Sequence, residues 1–509
     1  MTQVKIGAFD LKTMWNDQDT RPIPLQGSYI SDEHPGSPWA RKTILTFDGG
    51  GVRGYSSLLI LKYLMTEIQR IETSDQDPYE SSEHYPWMDA DTTATNHFSK
   101  EPMDRFLPCH YFDYIAGTST GGLSAIMLGR LRMGVDEALD TYHGFGNEIF
   151  GKARIWNERS IPPFWFPRAK YASRKTRAAI KKIIYDKLAQ YDKDLMPHHI
   201  ESIPLRYRSD RTRAIVFSFV KTKTGVKKTA HTWRTYDKSD ENQSSNHSGH
   251  TPLWQIARAT SAAPTYFESI MIGDEEHSDG TQGANNPSIF ALQEVRSMHS
   301  HPPAVFMSIG CGKRPNGDPG GSNFDISAFS RNGAVDTGSR KQFFNKWIKI
   351  GCSWMEYLSD TEGPLGVQGW MNSSSDIDHK CRLNVEGDMT NIPLDEWEPK
   401  TSGANTLKKI KDMTEEYLSQ GRIKTCIRNM AVELVNIRRE RAKTERWELF
   451  ATDVVYHCPA HGCPDNIYKK RWQFRNHVIY GGRHDKIAHD IVQVERYLDS
   501  CRLNAGTVF

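Results

Sequence analysis

Tyr111-Phe-Asp-Tyr-Ile-Ala-Gly-Thr-Ser-Thr-Gly-Gly122 is the stretch from which the fold is read. An aromatic, apolar run ends at Ala116, and Gly117-Thr-Ser119-Thr-Gly121 follows it as a G-x-S-x-G pattern. Leu123, Ile126, Met127 and Leu131 then fall at helical spacing. Strand, sharp turn, helix is the setting that holds a serine in a strained backbone with its hydroxyl exposed. The glycines lack the Cβ atoms that would clash in so tight a turn. The helix N-terminus brings N–H groups and a partial positive charge beside the hydroxyl. A strand-to-helix turn without chemistry has the same local pattern, so the rest of the chain must decide.

Upstream, Thr43-Ile-Leu-Thr-Phe47 reads as a buried strand running into Asp48-Gly49-Gly50-Gly51-Val52-Arg53-Gly54. Leu58, Leu61, Leu64, Met65 and Ile68 continue at helical spacing to about Glu72. Such a loop either cradles an anion, stabilises charge developing on a carbonyl oxygen, or is a tight turn without a ligand. It formally satisfies the dinucleotide pattern G-x-G-x-x-G, but Arg53-Gly54-Tyr55 departs from the Gly-Lys-Ser/Thr end of a nucleotide P-loop. Downstream come a strand pattern over Ala214–Val220 and a small-residue helix over Trp254–Ala263. His277-Ser-Asp279-Gly280-Thr281 and a strand over Ala304–Gly310 follow. Strands alternating with helices imply an α/β fold with a mainly parallel sheet covered on both faces.

At 509 residues, with 38% hydrophobic and 25% charged residues, the composition is that of a soluble globular protein large enough for two or three domains. A net charge of +3 selects no acidic partner. The 8 cysteines are scattered apart from Cys458 and Cys463, which suits a reducing compartment rather than a disulfide scaffold. No signal-like or bilayer-spanning apolar run occurs, and Thr2 excludes N-myristoylation. The expected location is therefore cytoplasmic, with at most peripheral membrane contact. Phe164, Trp165 and Phe166, beside a basic helical stretch from Arg168 to Lys187, are the candidate contact. A solvated helix face beside a buried loop is the alternative.

Asp48-Gly-Gly-Gly-Val-Arg-Gly54, then Gly117-Thr-Ser-Thr-Gly121, then Asp279-Gly280 stand in an order that resembles the patatin-like phospholipase family. Asp113 to Gly122 is similar to that family's Asp-x-x-x-Gly-Thr-Ser-x-Gly-Gly, and Ala259–Pro264 to its Ala-Thr-Ser-Ala-Ala-Pro. The likeness covers about residues 43–312. Thr281 departs from it, since the family usually has Ala or Gly after Asp-Gly. The resemblance implies a three-layer α/β sandwich and a Ser–Asp dyad, with Ser119 as nucleophile and Asp279 as general base. Gly50 and Gly51 are then the expected oxyanion donors, with Gly49, Arg53, Gly54, Gly117, Gly121 and Gly280 supporting. A partly buried carboxylate can serve as base if burial raises its pKa. His277, two residues before Asp279, keeps a triad formally open but reads as a bystander. The implied activity is hydrolysis of lipid esters, of phospholipase, lysophospholipase or acylglycerol lipase type, without a catalytic cofactor. Acyl transfer from the same acyl-enzyme is the alternative.

Cys458, Cys463, His477 and His484 form C-x4-C-x13-H-x6-H, resembling a two-Cys, two-His zinc finger with long gaps. A structural zinc is the expected cofactor there, with His457, His461 and His489 as substitute ligands. A protein-docking or stabilising role is expected, since one finger reads only about three base pairs. A non-enzymatic regulator acting through this module is the rival reading. The expected division is an arm (1–40), a catalytic domain (41–312), a mainly helical region (313–447) and the zinc-finger-like module (448–509).

Overall fold

The computed structural model describes residues 34–74, 81–82, 106–153, 169–192, 194–208, 210–221, 228–238, 250–313, 367, 369–452, 454–460, 462–463, 467–468 and 470–504. Phe164, Trp165 and Phe166, almost all of the N-terminal arm, and the Gly/Ser-rich stretch after Lys313 lie outside them.

Eight strands make the central sheet: β1 (Thr43–Phe47), β2 (Tyr114–Thr118), β3 (Arg213–Lys221), β4 (Lys228–Arg234), β5 (Ile270–Ile272), β6 (Glu275–Asp279), β7 (Val305–Ile309) and β8 (His379–Leu383). β3, β2, β1, β7 and β8 lie side by side and parallel, while β4, β5 and β6 join antiparallel, so the sheet is mixed. β1, β2 and β7 are buried at every position, which explains their unbroken apolar character. The segments after β1 and β2, the glycine loop and the serine turn, leave the sheet on the same edge, as ligand loops do in parallel sheets.

The position of β6 follows from hydrogen-bonding edges, of which a strand has two. β4 pairs with β3 from Ile215 to Lys221, overlapping the pairing of β2 at 215–217 and that of β6 at 218–221. β2 and β6 therefore share the other edge of β3 and approach each other from opposite ends. β2 stops with Thr118 opposite Phe217, and β6 stops with Asp279 opposite Ser218. The carboxyl ends of the two strands meet there.

The helices that build the site are α1 (Gly54–Glu72), α2 (Thr120–Ala125), α3 (Val135–Ile149), α4 (Ser173–Leu188), α5 (Leu253–Thr260), α6 (Thr281–Ala284) and α7 (Ser288–Arg296). Two later helices, Ala404–Ser419 and Gly421–Ala442, pack on α1 and share its core through Ile410, Ile427 and Leu434. β8 was not legible in a stretch that reads as helical: His-Lys-Cys-Arg-Leu is an edge strand that buries Cys381 and Leu383, exposes Lys380 and turns Arg382 to Asp48. Cys381 on β8 and Cys426 are joined by a disulfide, a link their scattered spacing does not suggest. Among the described residues no helix is long and apolar enough to cross a membrane.

Buried ion pairs tie the second half of the chain to the first. Asp48 is gripped by both terminal nitrogens of Arg382, one at 3.0 Å, and Arg382 also reaches Ser308 Oγ at 2.8 Å. Asp113 accepts from Arg441 at 2.8 Å and from the Thr43 N–H at 2.8 Å. Glu72 meets Arg439 at 2.8 Å. Arg132 donates to the carbonyls of Phe450 (3.3 Å) and Ala451 (2.7 Å), and Arg211 to those of Phe450 (3.1 Å) and Thr452. Those carbonyls end the helix Glu445–Ala451, from which the C-terminal module leaves.

Burial alone would raise the pKa of Asp113, but Arg441 and Lys42 reverse the sign and hold it below the usual carboxylate value. The stability it contributes is complete above its unfolded pKa and is lost as pH falls through the depressed one. Arg441→Met leaves that charge buried without its main partner. We expect a loss of about 3–5 kcal/mol in urea denaturation at neutral pH; a loss below about 1 kcal/mol would reduce the pair to the worth of a surface contact.

Candidate active site and metal-binding cluster

Ser119 sits between β2 and α2 with φ 56° and ψ −127°, a conformation that L-residues rarely adopt. Two features hold it there. A Cβ on Gly117 would come within 2.0 Å of the Gly121 carbonyl, so the turn closes only on glycine. The Ser119 N–H donates to Thr260 Oγ1 at 2.9 Å, and that hydroxyl donates to the Phe217 carbonyl at 2.7 Å. The Ser119 hydroxyl then donates to Asp279 Oδ2 at 2.6 Å.

Asp279 is completely buried. Its second oxygen accepts from the Thr281 N–H at 2.9 Å, and its own N–H donates to the Ala262 carbonyl at 3.1 Å. Burial pushes its pKa up to about 7, against hydrogen bonds from Ser119 and Thr281 that favour the charged form. His277 is buried too, but its Nδ1 lies 3.2 Å from Ser218 Oγ and its ring packs against Trp233. None of the described residues lining the cavity at Ser119 is a histidine.

The glycine loop forms another wall. The Gly49 N–H donates to the Asn285 carbonyl at 3.0 Å, and the Gly50 N–H to Thr120 Oγ1 at 3.3 Å. Gly51 has φ +55°, and a Cβ there would lie 2.1 Å from the Leu394 carbonyl, which in turn accepts from the Val52 N–H at 2.8 Å. Tyr142 of α3 donates its hydroxyl to the Gly51 carbonyl. Cys311 backs Gly50, its thiol pushed up to about 12 by burial and therefore kept neutral. Arg53 is buried, with Nη1 3.5 Å from the Thr390 carbonyl.

The cavity above Ser119 encloses about 600 Å³ including its mouth. Phe145, Phe150, Tyr266, Phe267 and Leu394 make its walls apolar. Asp395 at its edge is held by Tyr171 at 2.7 Å and by Lys170. A second apolar cavity, between α3, α4 and the helix after Ser119, shares Phe145 with it. Thr120 and Thr260 lie within the quoted motifs but had no role read for them, and Tyr142 and Leu394 carry no motif. Tyr142 could have been read from the buried stripe of α3, whereas Leu394 arrives only through tertiary folding.

In the C-terminal module, β9 (Val454–His457), β10 (Ile467–Tyr468) and β11 (Arg502–Asn504) form a separate small sheet around Tyr456, Phe474, Val478, Val494 and Leu498. One donor atom from each of Cys458, Cys463, His477 and His484 lies within 4.8 Å of the others, a set able to hold a metal ion. His484 Nε2 is 3.5 Å from Cys458 Sγ, 3.4 Å from Cys463 Sγ and 3.3 Å from His477 Nε2. Of the expected substitutes, His457 and His489 are not in this cluster, and His461 lies outside the described residues. Arg471 and Arg475 turn inward to Glu495, and Arg471 also to Asp499 at 2.7 Å.

Residues 45–292 match the pattern of the patatin-like phospholipase family, and the chain carries a domain of that family. Calcium-independent phospholipase A2-gamma of Oryctolagus cuniculus is 27% identical over 275 residues, 53% of this chain. The matched part spans 28% of that relative's length. Patatin-like protein 2 of Arabidopsis thaliana is 27% identical over 353 residues, covering 66% of this chain and 70% of that protein. The cGAMP-activated phospholipase of Vibrio cholerae is 27% identical over 258 residues, half of this chain and 57% of that protein.

Proposed function

We propose that the chain is a serine acyl hydrolase of lipid carboxylic esters, of the phospholipase, lysophospholipase or acylglycerol lipase type. The observation that carries this reading is the 2.6 Å contact from the Ser119 hydroxyl to a buried carboxylate, inside an apolar cavity walled by the glycine loop. Ser119 Oγ attacks the ester carbonyl while Asp279 Oδ2 takes its proton. The carbonyl oxygen becomes an oxyanion facing the N–H groups of Gly50 and Gly51, and displaces the long contact between Gly50 and Thr120. Asp279 returns the proton to the departing alcohol, leaving an acyl-enzyme. The aromatic walls receive the acyl chain. The names of the matched relatives, phospholipases among them, support the substrate class. Passage of the acyl group to another alcohol uses the same steps with a different acceptor.

Labelling by a fluorophosphonate tests this directly. Wild type is labelled, and Ser119→Ala is not. Asp279→Asn loses about two to four powers of ten in kcat, whereas His277→Ala keeps activity within about threefold. A His277 variant as inactive as the other two would replace the dyad with a histidine mechanism. Asp279 must be ionised to act as base, so kcat/KM rises with pH through about 7 and levels above it. A profile flat from pH 5 to 8 (roughly the range over which such a base would titrate) contradicts that role.

The same reading gives the C-terminal cluster a closed, structural zinc ion. With Zn–S of about 2.3 Å and Zn–N of about 2.0–2.1 Å, tetrahedral geometry requires S–N edges of about 3.6 Å and an N–N edge of about 3.4 Å. The separations of 3.5, 3.4 and 3.3 Å match these edges. Arginines directed inward favour a stabilising or protein-docking role over nucleic-acid binding. Metal analysis of the purified full chain should find about one zinc per molecule, lost in Cys458→Ser/Cys463→Ser. Zinc-free wild type of unchanged thermal stability after chelation would refute the site.

A further inference from the structure

Both ends of the Asn285 side-chain amide are buried without a hydrogen-bond partner among the described residues, and the Thr281 hydroxyl faces the Asp279 carboxylate, whose charged form it favours. Thr281 is 9% exposed and Asn285 6%. Thr281 lines the catalytic cavity. Asn285 follows it by one helical turn, at the end of α6, so both lie on one face of that turn. A Cβ on Gly49 would lie 2.4 Å from Asn285 Oδ1, 3.0 Å from Ser119 Cβ and 3.2 Å from Thr281 Cγ2, so the amide and the threonine pack against the glycine loop beside Ser119. The neighbouring Asn286 is satisfied locally, accepting from the Ser288 N–H at 3.1 Å. Buried groups of this kind rarely go without partners, and a small polar molecule with two to four contacts is their usual complement.

We propose that Thr281 and Asn285 form the seat of the second nucleophile, a hydroxyl compound that attacks the acyl-enzyme, with water as its occupant in hydrolysis. This rests on the acyl-enzyme at Ser119. Once Ser119 is acylated, its hydroxyl proton has left with the alcohol, and Asp279 Oδ2 has lost its donor. A water held by the Thr281 hydroxyl and the Asn285 amide fills that gap. Its oxygen bonds to the acyl carbon and its proton passes to Asp279. The bond from the acyl carbon to Ser119 Oγ then breaks, and Ser119 takes the proton back from Asp279. The fatty acid leaves, and no other reactant is consumed. The amide supplies both a donor and an acceptor, and the threonine hydroxyl does the same. Thr281, the residue at which this chain departs from the usual Ala or Gly, is thus a determinant of how fast the acyl-enzyme turns over.

Thr281→Val keeps the shape and removes the hydroxyl. With p-nitrophenyl butyrate and full-length protein, first-turnover release of nitrophenol should fall by much less than steady-state turnover. Steady-state turnover should fall on the order of tenfold, and intact mass should show butyryl-enzyme accumulating at Ser119. Thr281→Ser should restore turnover without accumulation. Unchanged turnover in Thr281→Val, or first turnover and steady state falling together, overturns the seat. Added glycerol distinguishes the occupant. If the seat serves water alone, the Thr281→Val products shift from butyrate toward butyrylglycerol. If it serves both, the two products fall together. An unchanged ratio with unchanged rates counts against the seat. Failure of the underlying acyl-enzyme reading has a different signature, since wild type would then give neither a fluorophosphonate adduct nor a butyryl adduct at Ser119.

Discussion

The two ends that meet on β3 decide the chemistry of this molecule. One edge of β3 is filled by β4, so β2 and β6 must share the other, and they enter it from opposite directions. Ser119 is the first residue beyond one strand, and Asp279 is the last residue of the other. Their 2.6 Å contact is a consequence of sheet register rather than of loop conformation. Sites carried on strand ends are held more precisely than sites on free loops. The strained backbone at Ser119 fits this arrangement, since an over-determined framework is what sustains such strain.

Three aspartates near the sheet edge show how the environment sets apart carboxylates of one residue type. Asp48 and Asp113 are buried against arginines from the second half of the chain. Asp279 is buried at least as deeply, but its described partners are a hydroxyl and a backbone N–H, both neutral. Neutral donors cannot offset loss of water as a guanidinium does, which leaves the pKa of Asp279 about where a general base is useful. The residue types are identical, and the difference lies in what folding brings to each.

The serine turn, the glycine loop, β1, β2 and β7 were legible because each joins a strong local pattern to a glycine signature, and β3 because its apolar run is unbroken over Ala214–Phe217. Cys458, Cys463, His477 and His484 were legible because metal ligands come as paired residue types. The mixed direction of the sheet was not, because pairing direction is a property of two strands and no single stretch of sequence carries it. Nor was β8, where Lys380 is exposed and the Arg382 side chain is buried only because folding brings Asp48 to it. Asp48 and Asp113 read as turn and capping residues, because their partners lie 334 and 328 residues away. Leu394 and Asp395 reach the cavity from a segment without any motif.

The contacts of Arg132 and Arg211 with residues 450–452 bear on where this chain can be divided. A shortened polypeptide ending before Glu445 would remove the carbonyls of Phe450, Ala451 and Thr452 from two guanidinium groups buried beside the α/β body. Removing acceptors from buried charged donors costs about 1–3 kcal/mol for each group left unmet. Arg132 also follows the helical segment that begins after Ser119, so the loss would fall close to that turn. Trimming back to the matched family segment would therefore yield a weakened protein, and the helix Glu445–Ala451 belongs as much to the α/β body as to the C-terminal module.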